Sequence, residues 1–122
     1  MSTHSRIGIL NPDGSVESIY CHWDGYPSHN GKILLQHYKT AQRIRALLAF
    51  GDRSVLDQSI DDADCGLPGD KGSRIDRSML ALLEHTEEYT YVFNPVTNQW
   101  FWCAGKAFPL HRLHLEDCGK NE

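Results

Sequence analysis

The sequence predicts an α+β fold, in which two β-hairpins form a mostly antiparallel sheet and two or three short helices pack on one face. Two runs of β-favouring residues each turn back at a cluster of Asn, Pro or Gly. Between these runs, apolar residues recur at helical spacing. A chain of 122 residues is long enough for one sizeable core but not for two. We therefore expect residues 1–122 to form a single domain.

The first hairpin is predicted over RIGILNPDGSVESIYCHW, residues 6–23. Its turn lies at Asn11–Gly14, where Pro presets φ and Gly accepts a positive φ. Successive side chains of a strand point to opposite faces. Ile19, Cys21 and Trp23 are therefore expected on the face that packs against the core.

Three short helices are predicted between and after the strands. Ser28 or Asn30 can cap the first, which follows a break rich in Gly and Pro. The second begins at Thr40 and ends at Gly51, a residue suited to a helix C-terminus. The third spans roughly Arg77–His85. The tail FPLHRLHLEDC fits either an edge strand or a helical turn.

The second hairpin, EYTYVFNPVTNQWFWCAG, turns at Asn94–Asn98 and has two apolar faces. One face carries aromatic side chains, and the other carries Val92, Phe101 and Cys103. Antiparallel sheets usually leave one face polar. The second face must therefore be covered by loops of this chain, by another copy in a homodimer, or by a partner.

Composition and charge narrow the classes of function. The formal net charge is −4, which disfavours direct nucleic-acid binding because such binding depends on clustered Lys and Arg. No apolar run is long enough to span a membrane, and residues 1–10 lack the apolar core of a signal peptide. We expect a cytoplasmic protein without a cofactor. Its four cysteines, none in a C-x-x-C pair, are expected to be reduced.

Residues 5–56 carry the motifs SRIGI, PDGSV, IYCHWDGYP and NGKILL in this order. In these motifs the chain resembles a group of small proteins encoded by phages and other bacterial mobile elements. The resemblance brings no catalytic residues with it. It implies a non-enzymatic accessory protein of the host bacterial cytoplasm, of a kind that often inhibits host defence, as anti-CRISPR proteins do.

An acidic and aromatic surface is the binding site that this context suggests. The partner would be a host defence protein or ribonucleoprotein complex. A run of carboxylates in the Asp- and Gly-rich loop at residues 57–76 could occupy a groove built for phosphates. Aromatic side chains are the usual anchors of interfaces. The predicted contact residues are Asp57, Asp61, Asp62, Asp64, Tyr20, Tyr26, Trp100 and Trp102.

Two alternatives remain open at this stage. A small ligand-binding or hydrolytic protein could use His22, Asp24 and Tyr26, with Asp24 orienting the imidazole of His22. A zinc-stabilised module could use ligand types that suit zinc, although their spacing is unlike that of the usual zinc fingers. The zinc candidates are Cys103, His111, His114 and Cys118.

Overall fold

The computed structural model describes residues 3–60, 72–105 and 109–119. Its strands are β1 (Ser5–Leu10), β2 (Val16–Cys21), β3 (Arg74–Asp76), β4 (Tyr89–Asn94), β5 (Gln99–Ala104) and β6 (His111–Arg112). Its α-helices are α1 (Lys32–His37), α2 (Ala41–Ala49), α3 (Met79–Glu84) and α4 (Leu115–Cys118), and a π-helix at Pro27–Gly31 leads directly into α1. The strands form one six-stranded sheet in the order β3-β2-β1-β4-β5-β6. The predicted α+β fold class is confirmed.

Both predicted hairpins are present, at the predicted turns. In the first, Gly14 has a φ of 90°, a conformation that glycine adopts at little cost. In the second, Asn98 occupies the left-handed region with a φ of 55°. The hairpins are joined side by side through a parallel pairing of β1 with β4, in which Ile7 lies opposite Tyr91.

The main core lies between one face of the sheet and the helices α1, α2 and α4. Thr40 caps α2 by accepting a hydrogen bond from the backbone N–H of Arg43, and Gly51 follows the helix with a φ of 80°. The prediction of this helix is therefore confirmed at both ends. Fully or almost fully buried residues of this core include Ile7, Ile9, Ile19, Leu34, Ile44, Leu47, Tyr91, Phe93 and Trp100.

The opposite face of the sheet carries α3, whereas α1, α2 and α4 pack on the first face. Leu82 of α3 is buried against Val16 and Val92 on this second face. The sequence shows two apolar faces at β4 and β5, and α3 buries apolar side chains of the second. A helix of the same chain thus covers part of the surface from which a homodimer was expected.

Two further predictions about the start of the molecule need correction. Alternation along β2 predicts Trp23 on the core face, but Trp23 lies beyond the strand and 43% of it is exposed. Neither Ser28 nor Asn30 caps the first helix, because the helical segment already begins at Pro27, a residue suited to a first turn.

The C-terminal tail, predicted to be either an edge strand or a helical turn, contains both, because strand β6 is followed by helix α4. None of the helices in the described part of the chain is both long and apolar enough to span a membrane.

Candidate functional site

The segment that follows β2 is held in place by backbone contacts across the molecule. Asp24 has a φ of 58°, and its carbonyl accepts a hydrogen bond from the N–H of Asn30 at 3.2 Å. The N–H of Gly25 donates to the carbonyl of Thr3 at 2.8 Å, and the hydroxyl of Tyr91 donates to the Gly25 carbonyl at 2.6 Å. The turn from strand to helix therefore accounts for the Asp, Gly and Pro residues at positions 24–27.

Asn30 is the buried centre of this turn. Its Nδ2 lies 3.1 Å from Ser5 Oγ, 3.4 Å from Cys21 Sγ and 3.4 Å from the carbonyl oxygen of Trp23. Burial raises the pKa of the Cys21 thiol to about 11. A protonated thiol is a poor nucleophile. Cys21 therefore acts as a packing and hydrogen-bonding residue.

The end of β2 presents a continuous row of ring and carboxylate side chains on the second face and edge of the sheet. The imidazoles of His4 and His22 stack with ring centroids 4.6 Å apart. The ring of His22 also meets the ring of Trp23 edge-on at 4.7 Å, and its Nδ1 is 2.7 Å from the Tyr20 hydroxyl. We call this row, with its two neighbouring carboxylates, the histidine strip: His4, Tyr20, His22, Trp23, Glu87 and Glu88.

Backbone pairing places these side chains side by side. The turn of the first hairpin fixes a register in which Ser5 faces Cys21. His4 and His22 are the adjacent residues just beyond this last pair, and their rings stack. The chain at residues 52–54 then supports the outer edge, where the N–H of Trp23 donates to the carbonyl of Ser54 at 2.9 Å. Glu88 immediately precedes β4, and one of its carboxylate oxygens accepts the N–H of His4 at 2.9 Å.

The strip lies in a negative electrostatic environment. Burial raises the pKa of Tyr20 to about 12, and nearby negative charge, that of Glu87 foremost, adds to the shift. His4 Nδ1 is 3.6 Å from Glu87 Oε1 and 3.8 Å from Glu88 Oε1. The negatively charged groups that act on Tyr20 are Asp52, Glu87 and Glu88.

The structure separates the aromatic residues predicted to form one contact surface. Tyr20 belongs to the histidine strip, and Tyr26 is half-buried nearby, where its hydroxyl donates to Asp24 Oδ1 at 2.9 Å. Trp100 is only 2% exposed in the main core, and half-buried Trp102 stacks on Tyr89 of the same face. An interface role for Trp100 is therefore corrected to a structural one.

The predicted loop at residues 57–76 is described at its two ends, residues 57–60 and 72–76. The loop prediction is wrong at its C-terminal end, because Arg74–Asp76 form strand β3 and pair with β2. Asp57 is exposed, and its carboxylate accepts a hydrogen bond from the N–H of Gln58 at 2.7 Å. Asp61, Asp62 and Asp64 lie outside the described residues. The role of this loop stays a prediction from the sequence.

The structure does not bring together His22 and Asp24, the two residues on which the hydrolytic alternative depends. His22 pairs with Tyr20, whereas Asp24 accepts from Tyr26 and has its Oδ2 4.0 Å from Nε2 of His29. Asp24 and Tyr26 do come together as predicted. Orientation of His22 by Asp24 is not observed, and no carboxylate of the described residues is hydrogen-bonded to the imidazole of the proposed base.

The zinc alternative fails on geometry. Cys118 packs in the main core on the helical face, whereas Cys103 lies opposite Thr90 on the second face of the sheet. His111 belongs to the edge strand β6, and His114 precedes α4. The described ranges hold no group of three or more His, Cys, Asp or Glu side chains arranged to bind a metal.

Sequence reasoning missed His4, Glu87 and Glu88 as site residues. The position of His4 opposite His22 follows from the hairpin register, so the turn at Asn11–Gly14 was a usable signal. Glu87 and Glu88 reach the strip through the parallel pairing of β1 with β4. No local pattern in the sequence specifies that pairing.

The histidine strip is the feature of this molecule that bears most directly on its function. An α+β fold with a mixed sheet hosts many unrelated functions, so the fold class alone does not determine the activity. No protein-family model, curated protein or solved structure matches this chain.

Proposed function

We propose that this protein is a non-enzymatic binding protein of a phage or mobile element that inhibits a host defence factor, and that the histidine strip is its contact surface. The observation that carries the proposal is the continuous row from exposed Trp23 through two stacked imidazoles to Glu87 and Glu88. The strip combines the aromatic and acidic character expected from the sequence.

Trp23 supports the proposal as an interface anchor. It is one of the exposed large apolar side chains of the described residues, and its backbone is fixed by a hydrogen bond to Ser54. Tryptophan is enriched among the residues that dominate binding energy. A ring already held edge-on by His22 loses little conformational entropy when a partner covers it.

Charge supports a basic partner. Glu87 and Glu88 lie beside His4 in the histidine strip, and the chain as a whole has a formal net charge of −4. Complementary charge steers association and selects among partners. A nucleic acid would be repelled by this surface, whereas a defence protein or ribonucleoprotein complex with a basic groove would be attracted.

The proposal is tested with bacterial strains that each carry one defence system and are challenged with a phage that this system blocks. Expression of the wild-type protein is expected to restore plaque formation in at least one strain. Trp23→Ala is expected to lose that effect, because an anchor of this kind contributes about 2 kcal/mol or more to binding. This corresponds to an affinity loss of roughly 30-fold.

Leu80→Ala is the matched control, since Leu80 is an exposed apolar side chain on α3. It is expected to behave like the wild type, and both variants are expected to keep the wild-type thermal midpoint. Unchanged phage restriction in every strain, with the protein folded and abundant, would reject the proposed function.

A further inference from the structure

We propose that a cleft on the second face of the sheet binds a small, neutral and mostly apolar molecule that carries one hydrogen-bond acceptor. The cleft has a volume of about 320 Å³ and lies between β4, β5, α3 and the segment before β6. It lies beside Leu10, the last residue of β1, whereas the histidine strip begins at His4. Six residues of a strand advance about 20 Å, so the cleft is separate from the proposed contact surface. This inference therefore goes beyond the proposed function.

The floor of the cleft consists of paired side chains of β4 and β5. Val92 lies directly opposite Phe101 in this hairpin, so both side chains point to the second face. Val92 is 2% exposed, and Phe101 is half-buried. Phe101 therefore contributes an aromatic surface to the cleft.

The walls of the cleft come from α3 and from the segment before β6. Met79 is the first residue of α3, and Leu110 immediately precedes β6. Both are half-buried and pack against the cluster of Val16, Leu82 and Val92. Because α3 has six residues and is only about 9 Å long, it covers part of the second face and leaves the cleft between itself and Leu110.

The lining residues determine the chemistry of the ligand. None of those in the described part of the chain is charged, so the lining offers no counter-ion to an ionic ligand. Asn94 supplies a polar group. Its Oδ1 accepts the N–H of Val96 at 3.0 Å, and its Nδ2 has no hydrogen-bond partner among the described residues. An amide N–H donates to an acceptor, so the matching ligand is an apolar molecule with a carbonyl or ether oxygen.

The size of the cleft favours a small molecule over a second copy of this chain. Ligand sites in proteins range from roughly 300 to 1,000 Å³, so this cleft suits a compact molecule of one or two rings. A stable dimer, in contrast, buries roughly 800 Å² on each partner. Leu10, Met79 and Leu110 are themselves half-buried, so the walls of the cleft do not supply an exposed surface of that extent.

The test uses PRODAN, a neutral naphthalene ketone whose emission shifts to the blue in apolar surroundings. Its parent dimethylaminonaphthalene, which lacks the ketone, is the second probe. Titration with the wild-type protein is expected to shift the emission of PRODAN to the blue and to saturate at one probe per chain. The parent compound is expected to bind roughly 10-fold more weakly, because it lacks the acceptor for the Asn94 amide.

Leu110→Trp fills the cleft from one wall and is expected to weaken PRODAN binding by roughly 10-fold or more. Leu115→Trp is the matched control, because Leu115 is exposed on α4, which packs on the first face of the sheet. This control is expected to bind PRODAN within about 2-fold of the wild type. Circular dichroism checks that both variants are folded.

Asn94→Asp gives a second test that does not depend on filling the cleft. The substitution keeps the oxygen that accepts the Val96 N–H and removes the amide donor. It is therefore expected to abolish the preference for PRODAN over its parent compound.

Three results would overturn the proposal. The first is an unshifted PRODAN emission with the folded wild-type protein, and the second is equal weakening by Leu110→Trp and Leu115→Trp. The third is a dimer in size-exclusion chromatography that Leu110→Trp dissociates and that does not bind PRODAN, which would assign the cleft to a second copy. A preference for PRODAN that survives Asn94→Asp would reject the hydrogen bond from Asn94.

Discussion

Trp100→Ala is expected to destabilise the protein by about 3–5 kcal/mol, as truncation of a buried large aromatic typically does. The Trp100 ring is 2% exposed and meets Phe93 edge-on, with ring centroids 5.3 Å apart. Its Nε1 donates to the carbonyl of Tyr38 at 2.8 Å, so truncation also leaves a buried acceptor without that donor. The loss should be measured as the free energy of unfolding in urea.

The same substitution at Trp23 is the control for this prediction. Trp23 is 43% exposed, so Trp23→Ala is expected to change the free energy of unfolding by less than about 0.5 kcal/mol. Equal destabilisation by the two substitutions would contradict the assignment of Trp100 to the core and Trp23 to the surface.

Gly25→Ala is expected to destabilise the protein by about 1–3 kcal/mol, because it overpacks a site bounded by backbone. A Cβ atom at this position would lie 2.8 Å from both the carbonyl carbon and the carbonyl oxygen of His4, and 2.9 Å from the Cβ of Ser5. Relief of this contact would move His4, so the variant is also expected to lose binding at the histidine strip.

Gly72→Ala is the corresponding control, because nothing lies within 4 Å of the Cβ that it adds. Its unfolding midpoint is expected to stay close to that of the wild type. A Gly25→Ala protein with wild-type stability would show that His4 and Gly25 are not packed as described.

The elements that could be predicted from the sequence are those specified locally. Gly14 marks the first hairpin turn, Asn98 ends the second, and Thr40 and Gly51 bound α2. In each case the conformational preference of one or two residues decides the local structure. The hairpin register, and with it the stacking of His4 on His22, follows from the first turn.

The elements that could not be predicted depend on contacts between distant parts of the chain. The parallel pairing of β1 with β4 brings Glu88 to His4, 84 residues away in sequence. Similarly, the apolar residues of α3 suit either face of the sheet. Only the packed structure shows that Leu82 lies against Val16 and Val92 on the second face. The acidic end of the site was therefore missed.

Alternation along β5 correctly separates Trp100 and Trp102 from Phe101 and Cys103, but it does not say which face the larger set of helices covers. Because those helices cover the tryptophan face, Trp100 is buried and the exposed aromatic surface is found at Trp23 instead. The prediction of a buried Trp23 is wrong because it extends the alternation of β2 beyond Cys21, where the strand ends.

The central claim is that the histidine strip binds the partner, and affinity capture from a host lysate tests it most directly. Tagged wild-type protein, a strip variant (Trp23→Ala, Glu87→Gln, Glu88→Gln) and a loop variant (Asp57, Asp61, Asp62 and Asp64 changed to Asn) would be compared, with bound proteins identified by mass spectrometry. We predict one near-stoichiometric defence protein or complex with the wild type and its loss in the strip variant. Retention of that partner by the folded strip variant would contradict the claim, and loss in the loop variant alone would assign binding to the acidic loop.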